Sequence, residues 1–329
     1  MCIATVAVTG GTGFIGSHTV EALLSQGFTV RCLVRPGRKG LGWLTGLPVE
    51  TVEADLFHRP SLLNALNGTE FLVHIAGVTR GKRRRDFYRG NVETTLNLLN
   101  AAEQYGSIKQ FCFLSSLTAT GPSRNGTPVA EETPCRPITP YGHSKLEAEQ
   151  ACRQFQHRVP VVIVRPPAVY GPRDRDILHM FRWIKFGIMP LMGPREKTLS
   201  LIYVSDLARA LVRVLTSPMA TGKTYFAADR SVYKYSDLVS FAASLMGKTT
   251  RSVFLPKALM YSVAAATQTV SWILPKPSVV NIDKVRDLIT PHWVCSAEKI
   301  KRELGFQTTL YAEEGLSLTL EWYRVQGWL

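Results

Sequence analysis

Tyr141 and Lys145, four residues apart, are the side chains in this sequence best suited to acid–base chemistry. On a helix, residues at i and i+4 share one face, so both can act on one substrate. A lysine charge lowers the pKa of a neighbouring phenol, which would make Tyr141 a usable proton donor or acceptor. Ser116 lies at the end of an upstream apolar run, where its hydroxyl could hold a carbonyl or alcohol oxygen.

Residues 9–16 form the glycine-rich segment TGGTGFIG, which lies between a predicted strand at 3–9 and a predicted helix at 13–25. Glycine is required where the backbone turns sharply, where it approaches a pyrophosphate and where the helix packs on the strand. A pyrophosphate then lies at the positive helix N-terminus. The segment predicts a dinucleotide site with contacts from Gly10, Thr12, Gly13, Phe14, Ile15 and Gly16.

The end of the second predicted strand, 28–34, indicates which dinucleotide is bound. NAD enzymes place an acid there for the ribose 2′-hydroxyl, whereas this chain has Val34 followed by Arg35 and Lys39 nearby. Because a guanidinium suits a 2′-phosphate, NADP(H) is favoured over NAD(H). The alternative is a solvated basic turn that is neutral toward the cofactor.

Short segments after the next two strands complete the predicted cofactor site. Asp55 offers a carboxylate to the adenine amino group, with Leu56 beside it. Ala76 and Gly77 are small enough for the cofactor to pass close to the backbone.

Apolar runs and helical patterns alternate through the first half of the chain. Strands are predicted at 3–9, 28–34, 49–53, 71–75, 110–114 and 161–164, with helices between them, including 86–105 and 141–156. Repeated βα units predict an α/β Rossmann fold, a doubly wound parallel sheet, with a smaller, interleaved C-terminal substrate lobe. We expect residues 1–171 to bind the dinucleotide, with late strands returning within 199–228, and residues 172–329 to form mainly the substrate lobe.

Together with RPPAVYGP at 165–172 and YVSD at 203–206, these motifs make the chain resemble the extended short-chain dehydrogenase/reductases. This superfamily includes NAD(P)-dependent epimerases, dehydratases and reductases. The resemblance implies that Ser116, Tyr141 and Lys145 are the catalytic triad. It also implies that Pro167 and Val169 line the nicotinamide.

Within this superfamily, the sequence around the triad is most similar to the 3β-hydroxysteroid dehydrogenase group, and the strand at 30–35 is similar to dihydroflavonol reductases. Leu117 and Thr118 stand where sugar-nucleotide dehydratases have an Asp-Glu pair, and Leu199 stands where nucleotide-sugar enzymes commonly have arginine. The predicted reaction is hydride transfer between NADP(H) and a hydrophobic ketone or secondary alcohol. A nucleotide-sugar epimerase and a cofactor-binding scaffold at a membrane are the alternatives.

Five large apolar residues after position 172 would favour an apolar substrate if they line its pocket, although each one alone is better explained as lobe core. They are Phe181, Trp183, Phe186, Met189 and Met192.

The net charge of +14 predicts anionic partners, such as a nucleotide or acidic lipid headgroups. The basic run at 80–89 is interpreted as a solvated face, and nucleic acid is not expected because the run lacks interleaved stacking aromatics. The apolar segment 258–274 predicts an amphipathic helix, packed on the protein or lying on a membrane. A homodimer is expected by analogy with the superfamily.

The six cysteines form no CxxC pair, so no metal site is predicted. With no secretory signal pattern at the N-terminus, the chain is expected to be cytoplasmic, with contact at the inner membrane face as an alternative.

Four further residues receive predictions. They are His74 as a core histidine, His143 in packing or hydrogen bonding, Asn91 as active-site support through water, and Asp206 as a helix cap.

Overall fold

A computed structural model describes residues 4–193, 197–273 and 282–329. The strands are β1 (Thr5–Thr9), β2 (Thr29–Val34), β3 (Glu50–Glu53), β4 (Phe71–His74), β5 (Gln110–Leu114), β6 (Val161–Arg165), β7 (Ala168–Tyr170), β8 (Ile188–Met192), β9 (Thr198–Tyr203), β10 (Thr224–Phe226), β11 (Val232–Lys234), β12 (Arg251–Leu255) and β13 (His292–Trp293). The helices are α1 (Phe14–Ser25), α2 (Arg59–Leu66), α3 (Arg84–Phe87), α4 (Thr94–Tyr105), α5 (Leu117–Thr120), α6 (Pro140–Phe155), α7 (Asp176–Lys185), α8 (Val204–Leu215), α9 (Tyr235–Leu245), α10 (Lys257–Ile273), α11 (Ile282–Ile289), α12 (Glu298–Leu304) and α13 (Ala312–Val325).

The main sheet has the strand order β3-β2-β1-β4-β5-β6-β10, and each neighbouring pair is parallel. Chain order reverses between β1 and β4, so a crevice opens there at the carboxyl ends of the strands. The Rossmann fold class predicted from the sequence is confirmed. Within β1, Val6 and Val8 face one buried layer and Ala7 the other, because successive side chains alternate across a sheet.

Helices cover both faces of this sheet. Leu23 of α1 and Leu211 of α8 belong to one core cluster, whereas Leu62 of α2, Leu98 of α4 and Ala148 of α6 belong to the other. This arrangement fixes the N-termini of α1 and α6 beside the crevice, since each follows a strand of a parallel sheet.

The helix predicted at 86–105 is interrupted by a π-helical segment, Tyr88–Glu93. A Cβ on Gly90 would collide with the side chain of Val78. The wider turn therefore lets the loop after β4 pack closely against the helix, a local distortion that is common at functional sites.

The second lobe contains a four-stranded sheet, in which β9 pairs with β7, β11 and β13, and a two-stranded sheet of β8 and β12. Of the strands within 199–228, β10 joins the main sheet, whereas β9 belongs to the lobe sheet. The helix α8, which follows β9 directly, packs on α1 and so connects the lobe sheet to the main sheet.

Candidate active site

The glycine turn brings β1, α1 and the loop after β4 into close contact. Gly10 has a φ of +75°, and a Cβ there would lie 2.6 Å from the backbone nitrogen of Ala76. A Cβ on Gly16 would collide with the carbonyl oxygen of Gly10. No side chain caps α1 at Gly13, so its first-turn N–H groups are available to an anion. Phe14 and Ile15 begin this helix.

A cleft of about 930 Å³ opens above this turn. It is lined by seven of the predicted cofactor residues, namely Gly10, Thr12, Arg35, Asp55, Leu56, Ala76 and Gly77. The residues that follow four different strands thus meet at one edge of the sheet, with the dimensions of a dinucleotide site.

The basic side of the cleft differs from the sequence prediction. Arg35 and Arg38 line the cleft, whereas Lys39 is exposed and does not line it. The N–H of Arg38 donates to the carbonyl oxygen of Arg35 at 3.1 Å. This turn returns Arg38 toward Arg35, and Lys39 lies beyond it. Glu53 accepts a hydrogen bond from the N–H of Gly37 at 3.2 Å and so orders the same turn.

Phe57 and Arg89 also line the cleft; Phe57 was not singled out from the sequence, whereas Arg89 belongs to the basic run that follows β4. The Arg89 guanidinium carbon lies 4.7 Å from the centroid of the Phe57 ring. Arg89 belongs to the basic run at 80–89, which is therefore not only a solvated face. In the same run, Arg80 forms an ion pair with Asp176 at 2.6 Å.

The three predicted catalytic residues come together where α5 and α6 meet. Thr139 caps α6 by accepting the N–H of Gly142 at 3.2 Å, and Tyr141 lies in the first turn. A Cβ on Gly142 would collide with the carbonyl oxygen of Thr118, so the two helices approach closely. Gly142, next to Tyr141, therefore lies against Thr118, whose N–H and hydroxyl bind the Ser116 hydroxyl, so the tyrosine and the serine occupy neighbouring positions.

The Ser116 hydroxyl accepts hydrogen bonds from the N–H of Thr118 at 3.2 Å and from its hydroxyl at 2.9 Å. These two bonds fix the position of the Ser116 hydroxyl at the start of α5. The N–H of Leu117 donates to the Pro166 carbonyl at 2.8 Å. This bond holds the segment containing Pro167 and Val169 beside the serine.

Lys145 is buried and donates from Nζ to the carbonyl oxygen of Leu114 at 2.6 Å. Its Nζ also lies 4.6 Å from the centroid of the Phe113 ring. A Cβ on Gly77 would be 3.8 Å from this nitrogen, so the ammonium adjoins the cofactor cleft.

Burial controls the ionisation of the tyrosine and the lysine. It raises the pKa of Tyr141 to about 12, with Ser116 opposing the shift and Asp287 adding to it. It lowers the pKa of Lys145 to about 8, against the attraction of Glu149. The expected lowering of the tyrosine pKa by lysine is therefore wrong for this structure, because burial of the phenol outweighs other effects. The phenol is protonated at neutral pH.

Asn91 joins the cofactor side to the catalytic helix through direct hydrogen bonds. Its Oδ1 accepts from the N–H of Val78 at 2.7 Å, and its Nδ2 donates to the Val78 carbonyl at 3.0 Å and to the Ser144 hydroxyl at 2.8 Å. These three direct hydrogen bonds connect the loop after β4 to α6; the predicted support of the active site through water stays a prediction.

Glu149, which the sequence prediction missed, is fully buried one helical turn after Lys145. It accepts from the Ser115 hydroxyl at 2.5 Å, from Nε and Nη2 of Arg165 at 2.8 and 2.6 Å, and from Arg153 at 2.8 Å. Burial opposes its ionisation, but the hydrogen bonds and charge of Arg165 hold the pKa of Glu149 below its ordinary value. The signal in the sequence was its i+4 spacing from Lys145.

The two histidines singled out from the sequence, His74 and His143, differ in burial. His74 is fully buried, with hydrogen bonds to the hydroxyls of Thr9 at 2.7 Å and Thr95 at 3.0 Å. Burial, with the charge of Lys145, lowers the pKa of His74 to about 3. The core interpretation is confirmed. His143 is exposed, so the expected packing role is not seen.

The five apolar residues after position 172 do not form one pocket wall. Phe181 and Met189 are buried in the lobe core, whereas Trp183 and Phe186 are 48% and 76% exposed. On α7, Phe181 and Trp183 lie on different sides because residues two positions apart do not share a helical face, and Phe186 follows the end of this helix. The side chain of Met192 lies outside the described residues.

The sequence predicts that Asp206 caps a helix, but its side chain does not cap α8. Its carboxylate is buried and accepts the N–H groups of Thr309 at 2.9 Å and Leu310 at 3.2 Å. These bonds attach the segment before α13 to α8, the helix that connects the lobe sheet to the main sheet.

Among the described residues, Cys32, Cys112, Cys135, Cys152 and Cys295 are free thiols. In that part of the chain, no three metal-ligating side chains are grouped. Nor does any helix there have the length and apolar character needed to cross a membrane.

Residues 6–228 match the model of the NAD dependent epimerase/dehydratase family. The chain is 30% identical over 325 residues to the ceramide reductase of Caulobacter vibrioides, covering 98% of this chain and 96% of that protein. It is 24% identical to the 2-alkyl-3-oxoalkanoate reductase of Shewanella oneidensis, covering 94% and 84%.

Solved structures agree with the fold. The crystal structure of gox2253 superposes with a TM-score of 0.81 and 27% identity, covering 98% of both chains. UDP-glucose 4-epimerase from Thermotoga maritima superposes with a TM-score of 0.80 and 22% identity, covering 98% and 99%.

The fold and the family match define an extended short-chain dehydrogenase/reductase, an NAD(P)-dependent enzyme. The chain belongs to the NAD-dependent epimerase/dehydratase family.

Proposed function

We propose that the chain reduces a hydrophobic ketone with NADP(H), using Ser116, Tyr141 and Lys145. The observation that supports this most directly is the close approach of α6 at Gly142 to Thr118, which brings Tyr141 beside Ser116 near a lysine whose ammonium adjoins the cofactor cleft. A carbonyl oxygen placed between the two hydroxyls would receive two hydrogen bonds.

The residues around the cleft fit a dinucleotide, because the N-terminus of α1 has no side-chain cap and Arg35 and Arg38 line the cleft beside it. When bound there, a nicotinamide dinucleotide supplies hydride chemistry. Gly10, Thr12, Gly13 and the first turn of α1, with Phe14, Ile15 and Gly16, would hold its pyrophosphate. Asp55, Leu56, Ala76, Gly77, Pro167 and Val169 would flank its bases.

Ketone reduction needs a proton at the oxygen, and the protonated Tyr141 is ready to donate it. Ser116 orients the oxygen. Lys145 contributes positive charge beside the developing alkoxide and can hold the cofactor ribose.

Three arginines support NADP(H) over NAD(H). Arg35, Arg38 and Arg89 line the adenosine side of the cleft, and a guanidinium binds a phosphate through charge-assisted hydrogen bonds. Arg38 replaces Lys39 in this proposal.

The proposed substrate is a ketone with a long alkyl group. Two relatives are named a ceramide reductase and a 2-alkyl-3-oxoalkanoate reductase. Leu117 and Thr118 follow Ser116, so no acid–base pair for sugar dehydration is present at these positions. Residues 172–329 would supply most of the substrate contacts. The reduced thiols are in keeping with a cytoplasmic enzyme.

The test is a panel of long-chain and short-chain ketones with NADPH, followed by absorbance of the cofactor. We expect net oxidation of NADPH with ketones and none with nucleotide sugars. Inversion of a nucleotide sugar without net cofactor change would instead establish an epimerase and overturn the proposal.

A further inference from the structure

The helix α10 presents an apolar stripe to solvent. Leu259, Val263 and Ala266 recur at helical spacing, and all three are exposed. The opposite side, with Met260 and Ala264, packs against α11. The helix is therefore packed on the protein, but its most apolar stripe is not the buried one.

Two neighbouring elements extend this exposed apolar character. In β12, Val253 and Phe254 are both exposed, so neither face of this strand is covered at these positions. The N–H of Arg251 donates to the carbonyl oxygen of Gly187 at 2.9 Å, which places Phe186 at the other end of the same small sheet. We define the apolar surface as the exposed side chains of Phe186, Val253, Phe254, Leu259 and Val263, of which the two in β12 lie on opposite faces of the small sheet.

The segments that carry the apolar surface have only positive charges, although α11, which packs on α10, also carries Asp283 and Asp287. The sequence from 177 to 193 and from 238 to 273 contains no Asp or Glu. It does contain five cations, namely Arg182, Lys185, Lys248, Arg251 and Lys257, and all of them are exposed. Exposed apolar side chains among cations match the interface of an anionic bilayer, where acyl chains and acidic headgroups are both present.

We propose that the apolar surface docks the enzyme on an anionic lipid membrane. A second copy of this chain is a poorer occupant, because like charges would face each other across the contact. Docking at this surface is independent of the proposed reaction, but its advantage for a substrate with a long alkyl group rests on the proposed function.

The surface is one helix away from the catalytic tyrosine. α10 packs on α11 through Met260, Ala264 and Val285. On α11, Arg286 donates to the carbonyl oxygen of Ile138 at 2.9 Å. The charge of Asp287 on the same helix adds to the raised pKa of Tyr141. A lipid that leaves the bilayer at α10 would thus reach the catalytic helix along α11.

The test is sedimentation of the full chain with vesicles of phosphatidylcholine alone and with about one-third phosphatidylglycerol. We expect binding to the anionic vesicles, weakened by salt. The double variant Phe186→Ser/Phe254→Ser should lower the partition coefficient by about tenfold or more. The matched control is Leu318→Ser/Val325→Ser on α13, which also removes two exposed apolar side chains and should bind as the wild type does.

Three results would overturn docking: no binding of the wild type to anionic vesicles, equal binding of the Phe186/Phe254 double variant, or a wild-type dimer in ultracentrifugation that this variant dissociates. If the thermal midpoint and the NADPH affinity of the double variant match those of the wild type, misfolding of the variant is excluded. Reduction of a short, soluble ketone should be unaffected by the double variant. If the wild type binds vesicles but reduces no ketone, docking stands and the proposed function fails.

Discussion

The Glu149 carboxylate binds the Arg165 guanidinium through two parallel hydrogen bonds, from Nε at 2.8 Å and from Nη2 at 2.6 Å. Both side chains are at most 1% exposed. This pair joins α6, which bears Tyr141 and Lys145, to the end of β6. Because Glu149 also accepts from Ser115, the pair positions the residue next to Ser116.

Removing the carboxylate charge should destabilise the protein. Glu149→Gln leaves the buried Arg165 without its counter-ion, so the free energy of unfolding should fall by about 3–5 kcal/mol in urea titrations. Glu147→Gln on the same helix is the control, since its partner Arg84 is largely exposed, and should change little. A loss for Glu149→Gln no larger than for the control would contradict this account.

The same pair predicts a pH dependence of stability. The folded-state pKa of Glu149 is lowered, so its contribution is present above the unfolded-state pKa and is lost as pH falls through the folded value. The stability difference between wild type and Glu149→Gln should therefore be constant near neutrality and shrink in acid. A stability difference that grows in acid would show that folding raises the pKa of Glu149 instead of lowering it.

Tyr141→Phe removes the proposed proton donor but keeps the ring that packs near Phe87. Ketone reduction should fall by about a thousandfold in kcat, because general acid catalysis is lost. NADPH affinity, measured by fluorescence, should be retained. Tyr88→Phe, at an exposed tyrosine, is the control. Activity that survives Tyr141→Phe would exclude the phenol as the acid.

The ionisation of Lys145 should appear in the pH profile. Since its pKa lies at about 8, kcat/KM for ketone reduction should decline as pH rises through that value and the positive charge is lost. In Lys145→Arg the guanidinium stays charged, so the residual activity should not decline there. The same decline in both proteins would assign it to another group.

Arg35→Asp tests the cofactor preference. We expect NADP(H) affinity to fall by about a hundredfold and NAD(H) affinity far less, because only NADP(H) has the 2′-phosphate. Arg85→Asp makes the same charge change at an exposed residue outside the cleft and serves as the control. Equal losses for both cofactors with Arg35→Asp would refute the assignment.

The alternation of apolar runs and helical patterns was enough to predict the Rossmann fold, and local spacing indicated the glycine turn. Each of these signals lies within a few residues along the chain. The triad of Ser116, Tyr141 and Lys145 came from the resemblance to the superfamily and stays a prediction. Arg38 rather than Lys39 lines the cleft. This difference depends on the hydrogen-bonded turn from Arg35 to Arg38, which composition does not reveal.

Only the tertiary structure decided which helical face is covered and which charges are buried. The stripe at Leu259 and Val263 has ordinary amphipathic spacing, but packing against α11 uses the other side. Glu149 and Arg165 meet because α6 lies on β6, and the pKa of Tyr141 rises because neighbours distant in sequence exclude water. Sequence patterns determine local conformation, whereas burial and ionisation depend on contacts between segments far apart in the chain.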